Sequence, residues 1–406
     1  MKILMLSVTF PYPPTEGRIQ MRTFHLLKYL SRDHSITLVT QQTNQVSDAH
    51  LEALREYVHE LVVFPPPPEP TPGKFSKLKR FQNFFQQGTP SAVKSIFSEP
   101  MQQWVDRAVA TQGFDAIACE HRLNEIYVRP EWQNHYGTLA NIHNSVYRTH
   151  KNQLQTKTSD NQVRDQISLP LLRQYEKRYM SKFRHLVVMT TEDKRTLLEM
   201  NPESRISVIG NGVDLSLFPK RTEDPGGHQL LFMAAMDNRV NIDAARFLSL
   251  EVFPQLQNRY REVSLKLVGA RPVPEVSALG ERPGITVTGE VPSLVEYLHS
   301  ATVCVIPIRT GLGMKNRTLE AMATGIPVVA SDRALEGLAA DGPEIPQRAL
   351  RANTIEDYVV NISRLFENPP LRKKLSRNGR ELIEQEYTWE RVGMRYEKAL
   401  LTATQG

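Results

Sequence analysis

A glycine-containing loop followed by a basic helix start is the stretch of this sequence most suited to chemistry. Residues 302–330 read as a strand, a loop with Gly311 and Gly313, a helix from Lys315 to Thr324, and a second strand. Glycines allow a loop to turn tightly and to approach a ligand closely. The first N–H groups of the helix have no intrahelical partners and lie at the positive end of its dipole. The pattern therefore predicts a site for a phosphate-bearing ligand.

Charged side chains accompany this helix start. Lys315 and Arg317 add positive charge at the same place. Glu320 follows, and its carboxylate can accept hydrogen bonds from sugar hydroxyls. The alternative is a set of ordinary turn glycines before a solvated helix. A single glycine loop does not decide between the two.

Polar residues also follow two apolar runs in the first half of the chain. His121 comes just after the predicted strand Phe114–Cys119, and His143 and Asn144 follow the predicted strand Thr138–Ile142. Ligand sites of parallel sheets lie at the carboxyl ends of the strands. A neutral imidazole there can transfer a proton or form a hydrogen bond with a ligand. The alternative for either histidine is a structural role, with its ring bonded to the backbone.

The order of apolar runs predicts the architecture that positions these residues. Lys2–Phe10 is a continuous apolar run, typical of a strand buried on both faces, and we interpret it as a strand rather than a signal peptide. Arg18–Leu30 has one apolar face and predicts a helix. Strands at Ile36–Thr40 and Leu61–Phe64 flank a predicted helix at Glu52–His59. This βαβαβ start predicts a doubly wound, Rossmann-like α/β domain.

Further helix starts are predicted at about Ser168, after an N-cap at Thr191, and at about Ile242. A second α/β domain is expected to open near Gln229. Its candidate cleft or capping residues are Asn241 and Asp243. Gly269 ends a predicted strand, where we expect the backbone to approach a nucleotide closely, and Gly289 ends the next predicted strand.

Composition limits the class of protein. The 406 residues are 40% hydrophobic and 23% charged, as in globular proteins with full cores. Cys119 and Cys304 each stand in an apolar run, which predicts buried thiols in a reducing compartment. The net charge of +6 suits phosphate-bearing ligands, and no dense basic block with interleaved aromatics indicates nucleic acid.

One segment suggests a membrane surface. Residues 74–85 interleave Lys and Arg with Phe and Leu, and such a basic amphipathic segment can lie on an anionic membrane. A solvated helix that packs its Phe face on the domain is the alternative. No stretch reaches the apolar length of a membrane span. We therefore expect a cytoplasmic protein, with peripheral membrane contact as an open hypothesis.

The sequence LEAMATGIPVVAS, residues 319–331, with the basic glycine loop before it, resembles the donor-binding signature of glycosyltransferase family 4. The resemblance implies the GT-B fold, in which two Rossmann-like domains face each other across a cleft. It implies an acceptor-side domain at 1–215, a nucleotide-sugar donor domain at 216–388, and a last helix, 389–406, that crosses back to the first domain.

The resemblance also implies an activity. Members of the family transfer a sugar from a nucleotide sugar, here a UDP- or GDP-sugar, to a glycan, a lipid-linked sugar or another acceptor, with retention at the anomeric carbon. Such reactions build polysaccharides and glycoconjugates. No Asp-x-Asp stands in the sequence, so neither a metal held that way nor any other cofactor is predicted.

The resemblance assigns roles to residues. Lys315 and Arg317, with the Gly313 loop, would hold the diphosphate, and Glu320 would bind the ribose. His121, which ends the phrase FDAIACEH, would contact the transferred sugar rather than act as an obligatory base. The remaining donor-side candidates are Gly17, Gly311, Met314, Asn316 and Thr318.

The sequence departs from the family pattern at three positions. Leu312 replaces the first Glu of the signature, which normally contacts the donor sugar, and Ala235 and Val240 stand where an Arg and a Lys often grip the diphosphate. Arg239 could supply the charge or be an ordinary surface arginine. Two alternatives therefore stay open: a non-catalytic partner that binds nucleotide sugar or glycan, and a nucleotide-sugar epimerase of the same fold.

Overall fold

The computed structural model describes residues 1–43, 46–68, 84–86 and 88–405. These residues form two compact units, Met1–Gly210 with Val392–Gly406, and Asn211–Arg391. Of the basic segment 74–85, only Phe84 and Phe85 are among the described residues. Across the described parts of the chain, no helix has both the length and the apolar character needed to cross a membrane.

The first unit is built on a seven-stranded parallel sheet in the order β3-β2-β1-β4-β5-β6-β7. Met5, on the third strand in this order, pairs with Leu38 on one side and Ala118 on the other, and all three are fully buried. The strand order reverses between β1 and β4, which is where doubly wound sheets bind ligands. The strands are Lys2–Ser7 (β1), Ser35–Gln41 (β2), Glu60–Phe64 (β3), Ala116–Glu120 (β4), Gly137–Ile142 (β5), His185–Val188 (β6) and Ile206–Val208 (β7).

The second unit repeats this plan with a six-stranded parallel sheet in the order β10-β9-β8-β11-β12-β13. Cys304 pairs with Leu231 and with Val328 in fully buried registers, and the order reverses between β8 and β11. The strands are Gln229–Met233 (β8), Ser264–Val268 (β9), Ile285–Gly289 (β10), Val303–Ile306 (β11), Val328–Ala330 (β12) and Leu350–Arg351 (β13). Two parallel, doubly wound sheets confirm the predicted α/β fold class.

Helices connect the strands of both sheets. In the first unit they are Arg18–Leu30, Asp48–Arg55, Ser91–Lys94, Glu99–Thr111, Val146–Gln155, Gln162–Met180 and Thr191–Leu198, with 3-10 turns at Arg122–Tyr127 and Pro130–Asn134. In the second unit they are Arg239–Phe247, a π-helical turn at Leu248–Val252, Phe253–Gln257, Pro274–Ser277, a 3-10 turn at Ala278–Glu281, Leu294–Ser300, Asn316–Thr324, Ile355–Glu367 and Pro369–Glu386. The last helix is Trp389–Thr404.

Several predicted bounds were right and several were wrong. The helix Arg18–Leu30 has the predicted ends, and the two predicted thiols, Cys119 and Cys304, are buried and free. The first strand ends at Ser7 and not at Phe10, because the Ser7 hydroxyl donates to the Thr9 carbonyl oxygen and the chain turns away.

Helix starts were misplaced wherever a capping side chain lies further upstream. Asn161 caps the helix Gln162–Met180, which we predicted from Ser168, and that helix runs on through Pro170. Thr190, not Thr191, caps the next helix. Asn238 caps the helix Arg239–Phe247, which was predicted from Ile242, and Ser47 caps Asp48–Arg55, which was predicted from Glu52. The helices Glu99–Thr111 and Val146–Gln155 were not predicted.

Candidate functional site

The glycine loop follows β11, at the point where the strand order of the second sheet reverses. Gly311 and Gly313 have φ angles of 81° and 84°, in the left-handed region that favours glycine. A Cβ atom on Gly313 would meet nothing within 4 Å, so open space lies over the loop. The helix Asn316–Thr324 begins directly after it, and its N-cap, Lys315, makes no side-chain capping hydrogen bond. The predicted strand, loop and helix are therefore present.

The three charged residues predicted for this site are engaged with the loop and with one another. Lys315 Nζ donates to the carbonyl oxygens of Leu312 at 3.0 Å and Gly313 at 2.6 Å. Arg317 forms an ion pair with Glu320 at 2.5 Å, with side chains 40% and 12% exposed. Arg317 thus remains accessible to a ligand, whereas Glu320 is mostly covered.

Glu336, on the segment after β12, also belongs to this loop, although we did not predict it as a site residue. Its buried carboxylate accepts a hydrogen bond from the Gly313 N–H at 3.1 Å. That N–H group is therefore bonded within the protein and is not directed at a ligand. The only sequence signal for Glu336 was its position just after a buried strand, where polar side chains of α/β proteins gather.

Three other predicted donor-side residues have side chains directed at protein groups. Met314 is buried, and its sulfur accepts a hydrogen bond from the Asn211 backbone N–H at 3.3 Å. Asn316 accepts from the Asn211 side chain at 2.8 Å. Thr318 is buried and donates to the Ala334 carbonyl oxygen at 2.9 Å. These three side chains are therefore engaged within the unit.

The start of the helix Arg239–Phe247 lies next to the glycine loop. The Val240 side chain is 3.4 Å from the position that a Cβ of Gly311 would occupy, and the neighbouring Arg239 is exposed. Asp243 forms a bidentate ion pair with Arg309, which follows β11, at 3.0 and 2.5 Å. This pair ties the helix to the start of the loop.

Asn241 and the two strand-end glycines have local explanations. The Asn241 side chain donates to the Ala235 carbonyl oxygen at 2.8 Å, so it braces the loop after β8. A Cβ on Gly269 would lie 1.7 Å from the Ala234 carbonyl oxygen, so backbone packing alone demands glycine there. Gly289 has a φ of 71° and faces open space, as a turn glycine does.

The predicted residues of the first unit lie at the carboxyl edge of its sheet. His121 follows β4 with a φ of 78°, a strained value for a residue with a side chain. The Leu123 N–H lies 3.4 Å from its Nδ1 atom, and the Arg122 guanidinium lies 3.1 Å from its Nε2 atom. A neutral imidazole has one acceptor nitrogen, so the ring accepts a hydrogen bond from one of these two donors. Burial and the Arg122 charge lower the pKa of His121 to about 3, so the ring is neutral at physiological pH.

His143 and His121 come together, whereas Asn144 turns away. The two imidazole rings are 5.1 Å apart between centroids, in an edge-to-face arrangement. Burial, with the nearby His121 and two arginines, lowers the pKa of His143 well below its usual range. Its Nε2 atom is buried and has no hydrogen-bond partner among the described residues. The Asn144 side chain donates to Thr149 at 3.0 Å.

Gly17, the remaining predicted residue, is the N-cap of the helix Arg18–Leu30. Its φ of −167° is extended backbone that any residue adopts, so the turn itself does not require glycine. Its role in ligand binding stays a prediction.

A buried hydrogen-bond network also lies in the first unit. The Arg22 guanidinium donates to the carbonyl oxygens of Gly210 at 2.6 Å and Ile209 at 3.0 Å, and to the Asn141 side chain at 3.2 Å. Asn141 donates in turn to the Glu120 carboxylate at 2.8 Å, which also accepts a hydrogen bond from the Tyr396 hydroxyl. Burial raises the pKa of Glu120 and lowers that of Arg22 to about 10.

Comparison with known structures identifies the fold. The sucrose-phosphate synthase of Thermosynechococcus elongatus superposes with a TM-score of 0.66 at 16% identity, over 99% of this chain and 98% of that one. HepE of Anabaena, solved in complex with UDP and glucose, superposes with a TM-score of 0.62 at 13% identity, over 99% of this chain and 100% of that one. At such identities the likeness establishes the fold, which is GT-B as predicted.

Sequence comparison identifies the family. A model described as Glycosyltransferase Family 4 matches residues 19–217, and one described as Glycosyl transferases group 1 matches residues 227–368. The lipopolysaccharide 1,2-N-acetylglucosaminetransferase of Salmonella typhimurium is 23% identical over 226 residues, which are 50% of this chain and 58% of that protein. The chain thus matches little more than half the length of this curated relative. Because the two family models between them match most of the chain, this protein belongs to glycosyltransferase family 4, the group 1 glycosyltransferases.

Proposed function

We propose that this protein transfers a sugar from a UDP- or GDP-sugar to an acceptor, with retention at the anomeric carbon. The unit Asn211–Arg391 would bind the donor, and the unit that contains His121 would bind the acceptor. Both proposals go beyond membership of the family, and we argue them from the residues at the carboxyl edges of the two sheets.

The observation that carries the proposal is the helix start at Lys315. It lacks a side-chain cap, follows two left-handed glycines, and lies where the strand order of its sheet reverses. N–H groups at a helix start, with the helix dipole, stabilise a phosphate without reorganising. A nucleoside diphosphate leaving group develops negative charge during transfer, so this arrangement favours its departure.

The charged side chains complete the donor site. The exposed Arg317 can turn to a phosphate oxygen, while Lys315, held on the Leu312 and Gly313 carbonyl oxygens, adds a fixed positive charge. Glu320 would accept hydrogen bonds from the ribose hydroxyls. In the ligand-free arrangement Arg317 neutralises Glu320, so binding of the nucleotide would exchange this ion pair for two contacts with the ligand.

His121 would act on the sugar as a neutral hydrogen-bonding group. Its low pKa makes it a poor general base at neutral pH, since proton transfer is most efficient when the pKa is near the working pH. Its strained backbone supports a functional role, because such strain gathers at ligand sites.

The comparisons support a glycosyl donor without choosing the sugar. HepE was solved with UDP and glucose, and the Salmonella relative is named for transfer of N-acetylglucosamine. A glycan or lipid-linked acceptor in polysaccharide or glycoconjugate synthesis remains our proposal.

One observation favours a second candidate, a non-catalytic protein that binds nucleotide sugar. Leu312 offers no carboxylate to the donor sugar, and Met314 and Thr318 direct their side chains into the unit. Glu336 supplies a carboxylate to the same loop from another strand end, which favours the transferase.

A turnover assay separates the two candidates. We expect release of UDP or GDP from at least one common nucleotide sugar, and a loss of about 100-fold or more in the variant Lys315→Ala, Arg317→Ala. Lys373→Ala, which changes an exposed lysine of the same unit, is the matched control. Nucleotide binding without any release from UDP- or GDP-sugars would favour the non-catalytic protein.

We further propose a cytoplasmic location with contact to an anionic membrane surface through residues 74–85. The two buried free cysteines suit a reducing compartment. Pelleting with vesicles of 30% phosphatidylserine, compared with phosphatidylcholine alone, tests the contact. Substitution of Lys74, Lys77, Lys79 and Arg80 by Glu should abolish a difference between the two vesicles.

A further inference from the structure

Arg122 is a cation without a carboxylate partner at the carboxyl edge of the first sheet. Within the described chain its guanidinium has one polar contact at hydrogen-bond distance, from Nη1 to His121 Nε2 at 3.1 Å, and its Nε is buried with no partner. No carboxylate oxygen of a described residue lies within ion-pair distance of it. Buried polar groups in proteins are normally hydrogen-bonded, so the Nε–H group of this half-buried side chain points to a ligand.

Other covered arginines of the same unit show the usual arrangement. Arg22, fully buried, donates to the carbonyl oxygens of Ile209 and Gly210. Arg148 pairs with Asp193 at 3.1 Å. Arg122 is half-buried and has neither kind of partner among the residues that the structure describes.

Arg122 stands at a strand end of the kind where ligands bind in parallel sheets. It follows β4, beside β1, where the strand order of the sheet reverses and ligands bind in this architecture. The imidazole of His143 lies against that of His121, and its Nε2 is also buried without a described partner. Arg122 and His143 therefore both lie against the His121 ring, and each has a buried nitrogen atom without a partner among the described residues.

Glu176, a carboxyl group whose pKa Arg122 lowers, is hydrogen-bonded to other residues. Glu176 accepts hydrogen bonds from the Ser145 hydroxyl and the Val146 N–H, both at 2.7 Å, and is held by them. Burial raises the pKa of Glu176 to about 7, so at neutral pH this carboxyl carries only part of a negative charge.

We propose that Arg122, with His143 beside it, forms a subsite for an oxyanion, a phosphate or carboxylate group carried by the acceptor. A guanidinium matches the geometry of both groups, because its N–H donors form a planar fork. The acceptor assignment rests on the proposed function, whereas the anion subsite itself does not. The acceptor would thus be an anionic sugar or glycan rather than a neutral one.

The test observes the Arg122 Nε–H group by ¹H–¹⁵N NMR in the full-length protein, with the signal assigned from its loss in Arg122→Lys. Sodium phosphate and sodium acetate are titrated at constant ionic strength against sodium chloride, and glucose 6-phosphate against glucose. We expect a saturable shift with at least one oxyanion, and a midpoint for glucose 6-phosphate at least tenfold below that for glucose if phosphate is the group recognised. A response to acetate alone would identify a carboxylate.

Arg129 is the matched control, since it is exposed and pairs with Asp106 at 2.7 Å. The Arg122→Gln variant is followed at the His143 ring signal. The oxyanion concentration at the midpoint of its titration should be at least tenfold higher than in the wild type, as expected when a hydrogen bond to a charged group is lost. An Arg122 signal that moves no more than that of Arg129 would overturn the subsite, even if Arg122→Gln did not fold. UDP and GDP binding, measured on the same samples, tests the proposed function separately, because an oxyanion response without nucleotide binding would leave the subsite standing and the transferase in doubt.

Discussion

At the residue scale, His121 and Glu176 show how burial sets charge at the edge of the first sheet. His121 is held neutral because burial and Arg122 both oppose its protonation. Glu176 is held near half-protonation because burial opposes its charge, while its hydrogen bonds and Arg122 favour it. This edge therefore carries less net charge at neutral pH than its residue types indicate.

His121 is expected to stay neutral from pH 5 to 8. Its pKa falls from 6.5 to about 3 on folding, so below pH 6.5 the unfolded chain binds a proton that the folded protein does not. The residue therefore lowers the free energy of unfolding as the pH falls through 6.5. Ring ¹³C NMR should show no titration of His121 in this range. A midpoint near 6.5 would contradict the neutral role.

Glu176→Gln should stabilise the protein most at alkaline pH. Folding raises the pKa of Glu176 from 4.5 to about 7. The free energy of unfolding of the wild type is therefore highest below pH 4.5 and falls as the pH rises through 7. Between pH 4.5 and 8, the free energy of unfolding of the variant should rise by on the order of 3 kcal/mol relative to that of the wild type, as the pKa difference requires. Arg122 and Asp193 face this carboxyl and stay unchanged.

Urea unfolding of the Glu176→Gln variant at pH 5, 6, 7 and 8 measures this gain. Glu203→Gln, at an exposed loop position, should show no such trend. A constant difference between the Glu176 variant and the wild type across this range would show that the carboxyl is charged throughout.

At the element scale, the glycine loop after β11 is fixed by a carboxylate from the next strand end. The Glu336 carboxylate accepts a hydrogen bond from the Gly313 N–H, and Lys315 Nζ donates to the carbonyl oxygens of Leu312 and Gly313. The loop is thus shaped before a ligand arrives, which reduces the entropy cost of binding.

Glu336→Ala should weaken binding of the nucleoside diphosphate about tenfold, because the Gly313 N–H loses its carboxylate partner and the loop its shape. Glu336→Gln keeps an oxygen that can accept this hydrogen bond and should lose less than threefold. Isothermal titration with UDP and GDP provides the measurement. Glu344→Ala, at an exposed position further along the same segment, should bind as the wild type does. If Glu336→Ala bound UDP and GDP as tightly as the wild type, Glu336 would not position the loop.

The sequence predicted the elements of this site better than their ends. Apolar runs and glycines located β11, the loop and the helix after it, because these signals are local in the chain. The start of the helix Arg239–Phe247 was missed, since it depends on the Asn238 side chain accepting from the Val240 N–H. Glu336 was missed because its partner, Gly313, is 23 residues away.

At the scale of the whole molecule, each unit rests on contacts that no local pattern could predict. Glu120 and Tyr396 are 276 residues apart, yet the Tyr396 hydroxyl donates to the buried Glu120 carboxylate. The family resemblance predicted the GT-B fold, since strand order follows from the βα repeat. It did not predict this network, in which Arg22 also takes part.

Tyr396→Phe should destabilise the first unit by about 1–3 kcal/mol, since a buried carboxylate loses a hydrogen-bond donor. The measurement is amide hydrogen exchange of β4 and β5, which should be faster in the variant than in the wild type. Tyr57→Phe is the control, because the Tyr57 hydroxyl makes no hydrogen bond to a described residue. Unchanged protection of β4 would mean that Glu120 is satisfied without Tyr396.

The central claim is that the loop and helix start at 311–320 bind the nucleotide of the donor. The most direct test is isothermal titration of UDP, GDP and ADP into the wild type, Glu320→Ala and Glu381→Ala. Glu381 is the control because it pairs with an arginine on an exposed helix of the same unit, as Glu320 pairs with Arg317. We predict selective binding of UDP or GDP, weakened at least tenfold in Glu320→Ala and unchanged in Glu381→Ala. No binding of any nucleotide, or equal binding by all three proteins, would contradict the assignment.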